Sequence, residues 1–264
     1  MISKLLFIPR GAADIIKVLL HKNISFSERW NIAKALAEIK IASLNKKLNE
    51  PFVFCFGKWK ISCLHNDHIG FLVKEIFVEE VYALTKSKEV FKILDLGSNI
   101  GLSVAYFKMR FPDAVIEAYE PDKNSFQLFR KNIQENDWEN ISAYEIAVSD
   151  TNGTLFASSL EEKASVNSNF TTSGEEESKV AAKDISEILK QNFDVIKMDI
   201  EGGEWRIFKK IIDHQLIPKA NHWFVEFHQI EKNKKQFEEI LNCFQQNGFE
   251  KEERKEVIYF YKNI

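Results

Sequence analysis

Cysteine, proline and glycine are all scarce in this 264-residue chain, and no long uncharged apolar run occurs in it. The three cysteines, Cys55, Cys63 and Cys243, fit no zinc-module spacing, and their odd number argues against a disulfide framework. Reduced thiols and a cytoplasmic setting are therefore expected. Only 5 prolines and 10 glycines leave little material for a long disordered linker. Near the start, Lys4, Pro9, Arg10, Asp14 and Lys17 interrupt the apolar residues, so neither a signal-peptide core nor a membrane span is expected. Basic charge is lacking too. A formal net charge of -3 gives no electrostatic footing for a nucleic-acid partner, and Lys209-Lys210 and Lys232 to Lys235 read as solvated helix faces. What remains is an ordinary globular composition, 45% hydrophobic and 28% charged, enough for a large α/β domain with a small appendage.

Residues 1–88 read as a mostly helical N-terminal extension, and residues 89–264 as the main domain. Ile15, Ile16, Val18, Leu19 and Leu20 suggest an amphipathic helix that either packs on the main domain, the favoured reading, or touches a membrane surface. Ser27 is a candidate N-cap for a helix through Leu44, with Ile32, Leu36 and Ile39 on one face. Phe54, Phe56, Trp59 and Ile61 alternate around Gly57-Lys58 as in a β-hairpin, and Gly70 to Leu84 reads as a further helix. From Phe91 onward apolar strands alternate with amphipathic helices. The strands are Phe91 to Leu96, Ala114 to Tyr119, Ile141 to Val148, Phe193 to Met198, His222 to Phe227 and Val257 to Tyr261. That rhythm predicts a doubly wound, Rossmann-like α/β fold with a mostly parallel sheet covered on both faces. Ser158 to Lys179 breaks it with a polar insertion, which reads either as a substrate-covering loop or as a surface excursion.

Four strand ends carry the chemistry. Asp95-Leu96-Gly97-Ser98-Asn99-Ile100-Gly101 joins a strand to a helix, where ligands bind in doubly wound sheets. Its glycine spacing is not that of a dinucleotide fingerprint, and an acid at the strand end suits a cationic ligand better than a pyrophosphate. Glu120 closes the second strand 19 residues past Gly101, the distance at which an acid grips ribose hydroxyls. Its plainer alternative is an acid capping the next helix. In Lys197-Met198-Asp199-Ile200-Glu201-Gly202-Gly203-Glu204, Asp199 and Glu201 read as cleft acids, and Glu204 equally as a helix cap. His228 follows Glu226 at the end of the next strand, where a histidine can serve as general base or as a core residue. Asp199, Glu201, Glu226 and His228 could also hold a divalent cation, though no metal is the favoured expectation.

In this order, ILDLGSNIG (93–101), AYEPDKNSF (118–126), AVSD (147–150), DVIKMDIEGGEW (194–205) and WFVEF (223–227) resemble the FkbM-type family of class I methyltransferases. The resemblance implies a seven-stranded sheet with a terminal antiparallel strand and S-adenosylmethionine as cofactor. It implies a sugar, glycan or other small hydroxylated acceptor. It places cofactor contacts on Asp95, Gly97, Ser98, Asn99, Gly101 and Glu120, with Ala147 and Val148 near the adenine. Lys183-Asp184-Ile185-Ser186 stands where the family usually shows a Leu-Asp pair. For methyl transfer to a hydroxyl, His228 is the first choice of base and Asp199 the second, with Glu201 orienting substrate or cofactor. Two rivals stay open at this level: a nicotinamide-dependent oxidoreductase, and a non-catalytic scaffold that keeps the fold. Residues 1–88 are expected either to cover the substrate cleft or to form a homodimer contact.

Overall fold

The computed structural model describes residues 13–21, 25–65, 68–84, 89–157, 170–171 and 179–262. The chain divides into two compact units, Met1–Val81 with Arg130–Asp137, and Tyr82–Phe129 with Trp138–Ile264.

The first unit begins with α1 (13–19), whose Val18 is buried while Ile16 and Leu20 stay exposed. Helix α2 (Phe26–Asn45) starts two residues earlier than the Ser27 cap predicts. Ser25 is the N-cap, and Ser25 and Glu28 satisfy each other's backbone N–H in a capping box. Ile32, Leu36 and Ile39 are buried as expected. The hairpin forms as β1 (Pro51–Phe56) and β2 (Trp59–Leu64), paired in register from Pro51 with Leu64 to Phe56 with Trp59. Two asparagines cover the outer edge of β2. Asn132 accepts from Ser62 N–H at 2.7 Å and donates to Ser62 O at 3.1 Å, while Asn136 does the same for Lys60 at 2.7 and 2.9 Å. Edge groups that would otherwise solicit another strand are thus filled by side chains. Helix α3 (Ile69–Phe77) is shorter than the Gly70 to Leu84 reading. The backbone leaves helical geometry soon after Phe77, and Glu80 adopts a positive φ of 49°.

The second unit is built on a seven-stranded sheet. Its strands are β3 (Lys92–Leu96), β4 (Val115–Tyr119), β5 (Ile141–Tyr144), β10 (Phe193–Met198), β11 (Ala220–Glu226), β12 (Glu250–Arg254) and β13 (Val257–Tyr261). Their order is β12-β13-β11-β10-β3-β4-β5. All pairs from β11 to β5 are parallel, and β13 runs antiparallel to both of its neighbours. The last strand of the chain is therefore the antiparallel one, inserted between β11 and β12 rather than at the sheet edge. Strands β3, β10 and β11 are almost wholly buried, which explains their continuous apolar runs. Helices α4 (Leu102–Arg110), α5 (Lys123–Glu135), α6 (Ile185–Ile188), α7 (Glu204–Asp213) and α8 (Lys234–Gln246) complete the alternation. Aromatic side chains fill one side of the core, where Phe244 stacks on Phe260 at 3.9 Å between ring centroids.

The expected strand from Ile141 to Val148 is two strands. Beyond Tyr144 the chain leaves the main sheet, and β6 (Ala147–Ser149) joins β7 (Gly153–Ala157), β8 (Phe170–Thr171) and β9 (Lys179–Asp184) in the order β6-β9-β7-β8. The polar insertion falls within this second sheet. Its residues 158–169 and 172–178 lie outside the described residues, so the two readings of it are not compared with structure.

The chain moves outward from β3 through β4 to β5, then resumes on the opposite side of β3 with β10 and β11. The strand order reverses between β3 and β10, the place where such sheets open a crevice beyond their carboxyl ends. Register fixes what stands there. Leu96 pairs with Tyr119 and with Met198, and Met198 pairs with Val225. The next residues, Gly97, Glu120, Asp199 and Glu226, consequently emerge at one edge.

Candidate active site at the sheet switch point

The turn after β3 is held against the neighbouring strand by its own backbone. Gly97 N–H and Ser98 N–H both donate to Tyr119 O, at 2.9 and 3.0 Å, and Gly101 N–H donates to Ser98 O at 2.8 Å. Gly97 has φ 82°, and a Cβ there would stand 1.7 Å from the backbone oxygen of Asp199. Gly101 has φ 89°, and a Cβ would meet the Phe129 ring at 2.4 Å. The close approaches that demand glycine are thus to the chain itself, drawing the turn onto the strand end of β10 and onto α5. Asn99, between them, also has a positive φ of 49°.

Asp95 is fully buried. Its Oδ2 accepts from Ser103 Oγ at 2.6 Å, and its Oδ1 faces Lys197 Nζ at 3.4 Å. The same ammonium donates to Gly97 O at 2.6 Å and lies 3.8 Å from Asp199 Oδ2. Burial pulls the Lys197 pKa down, but the charges of Asp95, Asp199 and Glu226 outweigh it and leave the pKa raised. Lys197 is therefore a buried cation that ties β3, the glycine turn and Asp199 together. Sequence reasoning quoted this lysine and gave it no role.

Glu120 is 7% exposed. Its Oε2 accepts from Asn99 N–H at 2.7 Å and its Oε1 from Asp122 N–H at 2.7 Å. Burial pushes its carboxyl up to about 7, against the pull of those two N–H groups. The acid thus touches the glycine turn and also braces the segment after β4, so the ribose and capping readings share one side chain. Each carboxylate oxygen has a second lone pair, which leaves room for a pair of hydroxyl donors. The donor set fits a ribose diol.

Beyond β10 and β11 lies an acidic cluster around one imidazole. His228 Nδ1 donates to Glu204 Oε1 at 3.1 Å, while Nε2 lies 3.2 Å from Glu201 Oε2 and 3.5 Å from Glu226 Oε1. The backbone of His228 is fixed by Trp205 Nε1, which donates to His228 O at 2.8 Å. Glu204 is fully buried and also accepts from Ile200 N–H and Gly202 N–H, so it caps the turn and anchors the histidine at once. Burial lowers the His228 pKa, but the Glu204 hydrogen bond and the charges of Glu204, Glu201 and Asp199 prevail and push it to about 9. Both ring nitrogens of His228 thus face carboxylate oxygens. Asp199 is raised, first by burial and then by Glu204 and Asp95, against Lys197 and His228. Glu201, at φ 55°, is pushed up to about 7 by burial and by the Asp199 charge, with His228 pulling the other way.

The structure thus gathers Asp95, Gly97, Ser98, Asn99, Gly101 and Glu120 into one group and Asp199, Glu201 and His228 into another, bridged by Lys197. Ser98 is buried, its Oγ donating to Asp95 O at 3.2 Å. Ala147 and Val148 stand on β6 with buried side chains, Val148 in the main core and Ala147 in a small cluster with Leu155 and Ala182.

Residues 95–251, more than half of the chain, match the methyltransferase FkbM domain. Methyltransferase 1 of Beauveria bassiana (strain ARSEF 2860) is 24% identical over 179 residues, covering 59% of this chain and 69% of that protein. Methyltransferase sdnD of Sordaria araneosa is 23% identical over 176 residues, covering 53% and 68%. The crystal structure of methyltransferase FkbM from Methylobacillus flagellatus KT is similar at a TM-score of 0.48 and 13% identity, covering 97% of this chain and 60% of that one. At that level the structural likeness adds no functional weight.

Proposed function

The chain belongs to the FkbM methyltransferase family, and on that premise we propose that it transfers a methyl group from S-adenosylmethionine to a hydroxyl of a sugar, glycan or similar small metabolite. One observation carries the cofactor half of this reading: Glu120 Oε2 accepts from Asn99 N–H at 2.7 Å, which joins the ribose-spaced acid to the glycine turn at the sheet switch point. When bound, S-adenosylmethionine supplies an electrophilic methyl carbon on a positively charged sulfur that keeps the bonding pair on departure. Glu120 would receive the ribose hydroxyls, the Gly97–Gly101 turn would hold the methionine part, and Ala147 and Val148 would stand near the adenine. Asp95, held by Lys197 and Ser103, supports the start of the turn.

On the acceptor side, Asp199 and Glu201 are the carboxylates placed to receive the hydroxyl proton as its oxygen takes the methyl group. Glu204 and His228 hold them in place. Positioning of this kind can contribute about 7–11 kcal/mol to such a displacement, so no covalent enzyme intermediate is needed. The three cysteines are free, in keeping with a cytoplasmic reaction. Among the described residues no helix is long and apolar enough to cross a membrane.

Calorimetry with S-adenosylmethionine, with NADH as a comparison, tests the cofactor. Transfer of labelled methyl into an extract of small metabolites and glycans, read by mass spectrometry, tests the acceptor. Binding of S-adenosylmethionine with label appearing on an oxygen of a small product is the expected result. Heat with NADH alone, or label only on protein or RNA, refutes the reading.

A further inference from the structure

We propose that Asp199, Glu226 and His228 form a binding site for a divalent cation of the manganese class. One ligand atom from each lies within 4.8 Å of the others. Two carboxylates and one imidazole at the mouth of a crevice suit a first-row divalent ion, because imidazole among oxygen donors favours it over magnesium or calcium. The imidazole is already arranged as metal-bound histidines are. Glu204 Oε1 holds Nδ1 at 3.1 Å, which leaves Nε2 turned toward the carboxylates of Glu201 and Glu226.

Two further observations point to a cation. Glu204 is fully buried, and its Oε2 has no hydrogen-bond partner among the described residues; Asp199 Oδ1 is likewise buried and without one. Around them, Lys197 lies 3.4 Å from Asp95 and 3.8 Å from Asp199, and His228 lies within 3.5 Å of Glu201, Glu204 and Glu226, so five carboxylates are gathered in one region. Carboxylates gathered this closely repel one another, and a divalent ion among them relieves that repulsion. An ion on Nε2 would displace the proton on this nitrogen to solvent, and Glu201 would then be the carboxylate left to take the acceptor's proton. The ion would polarise the acceptor oxygen and make that proton easier to remove. This last role rests on the methyl-transfer reading; the binding site does not.

The test uses the full chain, stripped of metal with EDTA and free of S-adenosylmethionine. Mn2+ is titrated in, and the signal of free Mn2+ is followed by electron paramagnetic resonance. One Mn2+ per chain is expected, with E226Q and H228Q each weakening binding by at least about tenfold and E204Q by about 10–100-fold. Paramagnetic broadening of the His228 ring protons in the unmodified chain gives a readout that needs no variant to fold. Absence of stoichiometric Mn2+, affinity unchanged in E226Q and H228Q, or unbroadened His228 resonances each overturns the proposal. Calorimetry with S-adenosylmethionine on the same samples separates this failure from failure of the cofactor reading, since Glu120 and Gly97 lie in the other group of the site.

Discussion

Replacing Glu120 with glutamine probes the most heavily constrained acid of the cofactor group. Its carboxyl is 7% exposed and is moved from 4.5 to about 7, with burial as the main cause. The folded chain therefore keeps this proton to higher pH than the unfolded chain does. Between pH 4.5 and about 7 the folded state binds more protons, so stability falls as the pH rises. The contribution is fully present below about pH 4.5 and lost once the pH passes about 7. From about pH 5 to about pH 8 the loss from this one group is about 3 kcal/mol, given about 1.36 kcal/mol for each tenfold change in proton affinity. Glutamine does not titrate. It also turns an amide N–H toward Asn99 N–H or Asp122 N–H, a cost of about 1–3 kcal/mol that is the same at every pH. Urea denaturation of both proteins at the two pH values reads the difference. E120Q is expected to be the less stable protein at the acid value and to gain about 3 kcal/mol on the unmodified chain by the alkaline one. A stability difference that does not move with pH would refute the reasoning, because it would mean that the buried carboxyl keeps its ordinary affinity for the proton.

Two other perturbations follow from the geometry. G97A forces a Cβ to within 1.7 Å of the Asp199 backbone oxygen at a φ of 82°, so backbone strain and overpacking together should cost about 2–5 kcal/mol. Thermal denaturation measures it, and a melting temperature equal to that of the unmodified chain would show that the turn and β10 are not in contact. K197M leaves the fully buried Asp95 without its cationic partner, an expected loss of about 3–5 kcal/mol by chemical denaturation. K197M with undiminished stability would remove Lys197 as the bridge between the two halves of the site.

Much of this architecture was legible because strands buried on both faces announce themselves as apolar runs, and the helices between them keep their period. The strand ends were legible for the same reason: once β3, β4, β10 and β11 are located, the residues that follow them must lie at one edge. Strand β12 was not. Its sequence, Glu250 to Arg254, is wholly charged and mostly exposed, so no apolar alternation marks it where it pairs with β13 at the sheet border. Strand β9 was hidden too, since Lys179 to Asp184 holds a single β-branched residue, Val180, beside two alanines and three charges, and belongs to the second sheet. The departure of the chain from the main sheet after Tyr144 leaves no mark in an unbroken stretch of strand-forming residues. Ser25 could have been found, because Ser25 and Glu28 have the spacing of a capping box.

By itself the sequence determined the buried parallel strands and most of the helices between them, where glycine had to stand after β3, and which acids close those strands, because periodicity and chain punctuation are local. Tertiary structure alone decided that Lys197 would sit against Asp95 and that Glu204 would grip the His228 ring. It also set Glu201 and Glu226 at 3.2 and 3.5 Å from the far nitrogen of that ring. Those pairings depend on the register of β10 against β3 and β11, a matter of hydrogen bonds between distant segments that no local pattern encodes.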